Sequence, residues 1–374
     1  MLEVAAVAAG AAGAEVRPLR LLVASIAPGA AGPQCDLDDL LRAPAFRAAF
    51  TTTVWAVPDA FRGVVGKLKL LAAVRGQLRA ARPQVIYLNL DLSLAFWIAL
   101  MCRIGGKVPL VTHSKNGRYD SPARPWAAAL FGYVLAHLSR ARLAISADAG
   151  RAMFGKGASA IERVPATIDF AHLHRGDADL PAGLPPKTGL IFACVGRLCA
   201  QKNQALAVAA LALMRDRGLS AQLWLIGAGA DQEPLRALIA RLEVSARVHL
   251  LGEIAELGPL YRERIDVLLV PSLFEGQGRV VAEAQSFGIP VLASVGVPQA
   301  AFLELAPVRA QRLVFVVEDW AQAMARMLTD PPPRRVPSAQ ALRESALGIE
   351  RGSQQMVELL RAAADPFPAR ERHG

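Results

Sequence analysis

Short apolar runs alternate with amphipathic stretches along most of the chain. LRLLVASI (19–26), QVIYLNL (84–90) and VPLVTH (108–113) are bounded by Pro, Gly or polar residues. Their length and boundaries predict buried strands. Between the first two lies KLKLLAAVRGQLRAAR. Here Leu68, Leu71, Val74 and Leu78 recur at helical spacing, while Arg75, Arg79 and Arg82 fall on another face. The second half repeats the alternation. Strands are predicted at LIFACVG (190–196), QLWLIG (222–227), RVHLLG, DVLLVPS and PVLAS, and helices from Gln204, from Glu233 and after Gly278. Short buried strands alternating with helices predict an α/β fold whose parallel sheets are covered on both faces.

Two stretches interrupt the pattern. HRGDADLPAGLPPKTG (174–189) reads as a linker and TDPPPRRVPS (329–338) as a second break. They divide the chain into doubly wound units over 1–180 and 187–338 and a closing helical segment over 339–374. In that segment SQQMVELLRAAA predicts a helix with Ser353 as its N-cap. Ligands of such sheets bind beyond the carboxyl ends of the strands, so the chemistry is expected just after them, in a cleft between the units.

Composition narrows the classes. With 53% hydrophobic and 20% charged residues, the chain of 374 residues is globular and long enough for two domains. SLAFWIALMC is too short to span a bilayer and PWAAALFGYVLAHL carries His137, so both read as buried or interfacial helices. The opening MLEVAAVAAGAAGAEV lacks a basic n-region and carries Glu3, which predicts an Ala-rich leader rather than a signal peptide. Cys35, Cys102, Cys194 and Cys199 show neither CxxC nor zinc spacing, as expected of reduced thiols in a cytosolic protein without a metal constellation. Charge is distributed unevenly. Residues 1–175 hold 21 Lys and Arg against 11 Asp and Glu, which accounts for the whole net charge of +10. A basic first half suggests an anionic partner: nucleic acid, a membrane surface or a phosphorylated lipid.

Two loops could carry chemistry. In VGRLCAQKN (195–203), Gly196 lets the backbone leave the strand, and Arg197 and Lys202 project towards the cleft as a cation pair suited to a diphosphate. A solvated basic loop is the plain alternative. In FEGQGRVVAE (274–283), Gly276 and Gly278 let backbone amides approach a ligand, and the helix that follows presents its free N-terminal amides there. Glu275 stays on the loop and Glu283 falls inside the helix. Carboxylates beside a phosphate pocket suit a ligand with hydroxyls, although Glu283 alone also reads as a helix-dipole glutamate. The DxD matches Asp36-Leu37-Asp38 and Asp177-Ala178-Asp179 read as chance acidic pairs, the first entering a helix and the second in the linker.

GRLCAQKN, LWLIGAGADQEPLRALI, VHLLG and PSLFEGQGRVVAEAQSFGIPVLAS resemble the carboxyl domain of the retaining GT-B glycosyltransferases, whose signature is the E-x7-E spacing. VTHSKN, LAISADAGRAMFG and VPATIDFAHL resemble the acceptor domain of the exopolysaccharide-assembly members of glycosyltransferase family 4. The resemblance covers roughly residues 19–330. It implies an acceptor-binding Rossmann-like domain, a nucleotide-sugar-binding Rossmann-like domain, and a last helical segment packed back on the first. It implies that Arg197 and Lys202 neutralise the donor diphosphate, Glu283 accepts the ribose hydroxyls, and Glu275 holds the transferred sugar. Backbone amides from Gly276 to Arg279 would bind sugar and β-phosphate. By itself His113 reads as a satisfied core histidine; the resemblance and its place in VTHSKN have it face the donor sugar from the opposite domain. Departures are visible. Gln277 stands where the family usually has an apolar residue, and Arg279 adds a charge that would assist the diphosphate or touch an anionic sugar. The family's NGID is ATID here, keeping Asp169, and its first glycine pair becomes APGAAGP, leaving Gly29 and Gly32.

The resemblance implies transfer of a sugar from a nucleotide-diphosphate donor to a hydroxyl, with retained configuration, no metal and no further cofactor. The acceptor would be a glycan or a polyprenyl-diphosphate-linked glycan of exopolysaccharide, capsule or lipopolysaccharide assembly. No nucleic acid is then expected. The enzyme would be cytoplasmic and peripheral at the inner membrane face, where Lys67, Lys69, Arg75, Arg79, Arg82, Arg118, Arg124, Arg140 and Arg142 meet anionic lipid and Trp97, Trp126 and Phe131 dip into the interface. Rival readings are a sugar-nucleotide epimerase, a non-catalytic glycan- or nucleotide-binding subunit on the same fold, and a dinucleotide-dependent oxidoreductase. The last has only the partial glycine motif GAGADQ.

Overall fold

The structure, a computed structural model, describes residues 17–26, 32–58, 63–115, 125–155, 160–176, 179–305 and 310–365. In the amino-terminal unit the chain forms β1 (Leu19–Ile26), α1 (Gly32–Arg42), α2 (Pro44–Ala49), β2 (Phe50–Val57), α3 (Gly63–Ala81), β3 (Val85–Asn89), α4 (Leu92–Gly105), β4 (Leu110–Ser114), α5 (Pro125–Leu138), β5 (Ala141–Ala144), α6 (Ala147–Phe154), β6 (Ile161–Arg163) and α7 (Phe170–Leu173). The strands are parallel, in the order β2-β1-β3-β4-β5-β6. The central strands β3 and β4 are buried along their whole length, as strands covered on both faces must be. Side chains cap the helices where the sequence supplies them. Asp91 accepts from the amide of Leu94 at α4, Ser146 from Ala149 at α6, and Asp169 from His172 at α7.

The carboxyl-terminal unit forms β7 (Ile191–Val195), α8 (Gln204–Asp216), β8 (Gln222–Ile226), α9 (Gln232–Arg241), β9 (Val248–Gly252), α10 (Gly258–Glu263), β10 (Val267–Val270), α11 (Arg279–Ser286), β11 (Val291–Ser294), β12 (Ala310–Leu313) and α12 (Val317–Thr329). Its strands are also parallel, in the order β12-β11-β10-β7-β8-β9. The strand order therefore reverses between β7 and β10. There the loops after the two strands leave in opposite directions and open a crevice.

Two further helices, α13 (Ala339–Glu344) and α14 (Ile349–Ala364), follow. The apolar face of α14, with Met356 and Leu360, joins the core formed by α1, α2 and the near face of the first sheet, including Tyr87, Val111 and Leu143. Gly352 lies where a Cβ would come within 2.0 Å of the Thr167 side chain. Ser353 is not the N-cap of this helix. The helix begins at Ile349, after Gly348 as its N-cap, and Ser353 sits inside it, donating back to the carbonyl of Glu350 at 3.2 Å.

His113, at the end of β4, is 2% exposed. Nδ1 meets the Tyr87 hydroxyl at 2.8 Å and Nε2 meets the Val164 carbonyl at 3.1 Å. Since a carbonyl only accepts, Nε2 carries the proton and Nδ1 accepts from Tyr87. The ring therefore faces the α14 side of its own sheet rather than the cleft, and the expectation of a donor contact finds no support in its position. Burial, then the charge of nearby Lys115, pushes its pKa down to about 3, against a counter-pull from Asp36 and the Val164 carbonyl.

Two outcomes follow from this packing. Leu360→Ala removes a fully buried side chain from the shared core, and denaturant titration of the full chain should show a loss of about 2–5 kcal/mol in the unfolding of that core. His113 stays neutral in the fold while the unfolded chain binds a proton below pH 6.5. Stability should therefore fall as pH drops from 6.5 towards 3, by about 1.4 kcal/mol per pH unit once the unfolded residue is fully charged. In His113→Gln this part of the slope should disappear when unfolding is followed by urea titration across that range.

Candidate active site

The crevice at the β7/β10 reversal is built from two loops. After β7, Gly196 takes φ 139° and turns the chain out of the sheet. The loop then packs against the chain leaving β8, where a Cβ on Gly227 would come within 2.1 Å of the Gly196 carbonyl. After β10, the segment Pro271–Gly278 is sewn to the first loop. Leu273 N–H donates to the Gln201 carbonyl at 2.8 Å, and Gln201 Nε2 donates to the Phe274 carbonyl at 3.0 Å. Across this seam Lys202 Nζ lies 2.6 Å from Glu275 Oε1, and the same oxygen accepts from Ser272 Oγ at 2.6 Å. Arg197 stays exposed, 3.4 Å from Gln201 Oε1.

Gly278 ends the second loop at φ 84°, a conformation that favours glycine, and no side chain caps the first amides of α11. Gly276 is required for a different reason. A Cβ there would lie 2.5 Å from the Lys115 carbonyl, so only glycine lets this loop meet the amino-terminal unit.

A cavity of about 220 Å³ results, walled by both units. Gly196, Arg197, Lys202, Glu275, Gly276, Gln277, Gly278, Arg279 and Glu283 all line it, whereas His113 does not. Cations and amides at one wall suit a diphosphate, and carboxylates beside them suit hydroxyls. Among the described residues no cluster of His, Cys, Asp and Glu could hold a metal ion.

Arg279 has protein partners on every nitrogen of its guanidinium. Nη2 donates to Asp39 Oδ2 at 2.7 Å, Nη1 to the Thr167 carbonyl at 2.7 Å, and Nε to Glu283 Oε1 at 3.3 Å. Burial lowers its pKa, but the carboxylates of Glu283, Asp39 and Asp36 outweigh that and hold it above the ordinary arginine value. Contact with an anionic sugar would require it to leave these partners. Tyr261 donates to the second oxygen of Glu283 at 3.4 Å. Burial, reinforced by Glu283, raises the Tyr261 pKa, which keeps the hydroxyl a donor.

Several residues of this region were not legible in the sequence. Lys115, past the end of β4, lines the cavity and pairs with buried Asp36. Asp36 also accepts from the Thr167 amide at 2.8 Å. Burial pushes its pKa up, but Lys115 and Arg279 prevail and leave it below the usual value. The DxD match at Asp36 thus begins with a carboxylate already engaged by the protein. The only advance signal for Lys115 was its place two residues beyond His113. Gly29 and Asp177 lie outside the described residues.

Residues 177–345 match the model of the family described as glycosyl transferases group 1. The chain is 29% identical over 293 residues to putative glycosyltransferase EpsF of Bacillus subtilis (strain 168), with 73% of each chain covered. It is 32% identical over 212 residues to D-inositol 3-phosphate glycosyltransferase of Arthrobacter sp. (strain FB24), covering 54% of this chain and 48% of that one. The crystal structure of Anabaena Alr3699/HepE in complex with UDP and glucose superimposes with a TM-score of 0.70 at 20% identity, covering 92% of this chain and 100% of that one. With two parallel six-stranded sheets and these neighbours, the fold is GT-B. The matched residues 177–345 belong to the glycosyl transferases group 1, glycosyltransferase family 4, a retaining family, and the chain as a whole is similar to glycosyltransferases.

Proposed function

We propose that this glycosyltransferase moves a hexose from a nucleotide-diphosphate sugar to a hydroxyl of a glycan or polyprenyl-diphosphate-linked glycan during surface polysaccharide assembly. One observation carries the reading. Arg197, Lys202, the open N-terminus of α11, Glu275 and Glu283 border a single cavity at the strand-order reversal. The similarity to putative glycosyltransferase EpsF over 73% of this chain supports sugar transfer, and the resemblance of VTHSKN and VPATIDFAHL to exopolysaccharide-assembly members supports the polysaccharide setting.

In this reading Arg197, Lys202 and the α11 amides stabilise the departing diphosphate, so charge neutralisation needs no metal. Glu275, held by Lys202 and Ser272, accepts hydroxyls of the transferred sugar. Glu283 accepts the ribose hydroxyls. The bond from the anomeric carbon to the β-phosphate oxygen breaks, and the acceptor oxygen bonds to the same face of that carbon. The departing phosphate takes the acceptor proton, so the protein supplies position and charge rather than a base.

We further propose that the amino-terminal unit rests on the inner face of the cytoplasmic membrane. Helix α4 packs between α3 and α5 on the side of the sheet away from α14. This layer exposes Leu68, Ile104, Trp126, Leu130 and Tyr133, each at least 49% accessible. Lys69, Arg75, Arg79, Arg103, Lys107 and Arg140 are exposed on the same unit. Apolar side chains beside cations match the interface of an anionic bilayer. Trp97 and Phe131 serve differently from the sequence expectation. They pack between the helices, where Phe131 stacks on Phe96 with ring centroids 4.1 Å apart. Arg118 and Arg124, and the side chain of Lys67, lie outside the described residues. No helix among those described is long and apolar enough to cross a membrane.

A thermal-shift screen across UDP- and GDP-sugars should identify one nucleotide class that stabilises the protein; no stabilisation by any would sink the donor reading. Glu283→Ala should weaken nucleotide affinity by about 10–100-fold, the loss of charge-assisted hydrogen bonds. An unchanged affinity in calorimetric titration removes the ribose role. Lys202→Ala should lower kcat by on the order of 100-fold while changing donor affinity far less. In sedimentation with anionic liposomes the protein should bind at low salt and be released as salt rises, and Trp126→Ser with Tyr133→Ser should weaken binding. Failure to bind at low salt ends the membrane proposal.

A further inference from the structure

Gln277 and Arg279, the residues that depart from the family pattern at the glycine corner, both reach into the amino-terminal unit. The amide of Gln277 pairs with the peptide of Ala166, donating to its carbonyl at 2.7 Å and accepting from its N–H at 2.6 Å. Arg279 divides its guanidinium between the two units. Asp39 of α1 holds Nη2 at 2.7 Å, and Glu283, one helical turn further along α11, receives Nε at the longer distance of 3.3 Å. Asp39 is itself fixed, accepting from Arg42 on Oδ1 and from the Asp169 amide on Oδ2 at 3.4 Å. It does not line the cavity.

We infer that Arg279 is a positioning residue for ribose recognition and that Asp39, across the domain boundary, is its anchor. This rests on the assignment of Glu283 to the ribose. Glu283 is 8% exposed and needs a counter-charge, but a guanidinium drawn fully onto it would occupy the lone pairs that the hydroxyls require. Asp39 and the Thr167 carbonyl draw the guanidinium away. Glu283 is left with one long contact from Arg279 and one from Tyr261, compensated and still able to accept. Removing the charge of Asp39 lets Arg279 close onto Glu283. Removing Arg279 leaves Glu283 buried without its cation. Either change blunts the grip on hydroxyls.

The test is calorimetric titration of the full chain with UDP, GDP and their 2′,3′-dideoxy counterparts, carried on with the base that binds. The wild type should prefer the ribose form by about 10-fold or more, the worth of charge-assisted hydrogen bonds. Asp39→Asn, which keeps the shape of the side chain, should reduce that preference by about fivefold or more while dideoxynucleotide affinity stays within about twofold. Arg279→Leu should do the same. An unchanged preference in Asp39→Asn overturns the inference, and so does an equal loss for both nucleotides, which is what general damage to the fold produces. A wild type that binds nucleotide without preferring ribose removes the Glu283 assignment itself. Thermal unfolding of each variant separates an unfolded Arg279→Leu from an informative one, and Asp39→Asn carries the test alone if Arg279→Leu does not fold.

Discussion

The ion pair between Lys202 and Glu275 spans the split between β7 and β10, where parallel strand order obliges the chain to diverge. Without it, the two loops, which leave the sheet in different directions, would be held by neutral hydrogen bonds such as those of Gln201. With it, the cation wall and the carboxylate wall of the cavity hold a fixed separation, and Ser272 fixes the orientation of the carboxylate. The side chains of Lys202 and Glu275 are 19% and 6% exposed, so water competes weakly for the bond. The seam of Gln201 hydrogen bonds to the opposite loop follows from the same closeness. Pre-set geometry of this kind lets charge stabilisation act without reorganisation when the leaving group departs.

A second set of charges governs how the units meet. Asp36, Asp39 and Glu283 are matched by Lys115 and Arg279, with members on both sides of the boundary and exposed Arg42 at the rim. Taking one partner from such a buried set is costly because the rest are left uncompensated. The glycine at 276 belongs to the same constraint, since it permits the approach that brings Arg279 within reach of α1.

Much of the fold was legible because its central strands are continuous apolar runs. VIYLN and QLWLI are buried at every position, and the pattern announces them. Two of the edge strands were not legible. FTTTVWAV in β2 and AQRL in β12 each pair on one side only, so they carry the polar residues that an exposed edge tolerates and the periodicity is lost. Glycines and cations after β7 and β10 could be found because function places them at strand ends. Lys115 with Asp36 and Arg279 with Asp39 could not, since the first pair, 79 positions apart, meets only once the amino-terminal unit has folded, and the second, 240 positions apart, only once the two units are assembled. His113 shows the converse. A strand-end histidine has a fair claim to the cleft, and here a tyrosine hydroxyl and a backbone carbonyl hold it on the far side of its sheet.

The route of α14 has a bearing on biosynthesis. The helix covers the first sheet beside α1 and α2, but it is encoded beyond the whole carboxyl-terminal unit. At about 5–20 residues per second, the ribosome needs roughly 10–40 s between the end of β6 and the start of this helix. Throughout that interval Tyr87, Val111 and Leu143 lack their last covering layer. The nascent amino-terminal half is thus a natural client for chaperones, and its maturation waits on the completion of its neighbour.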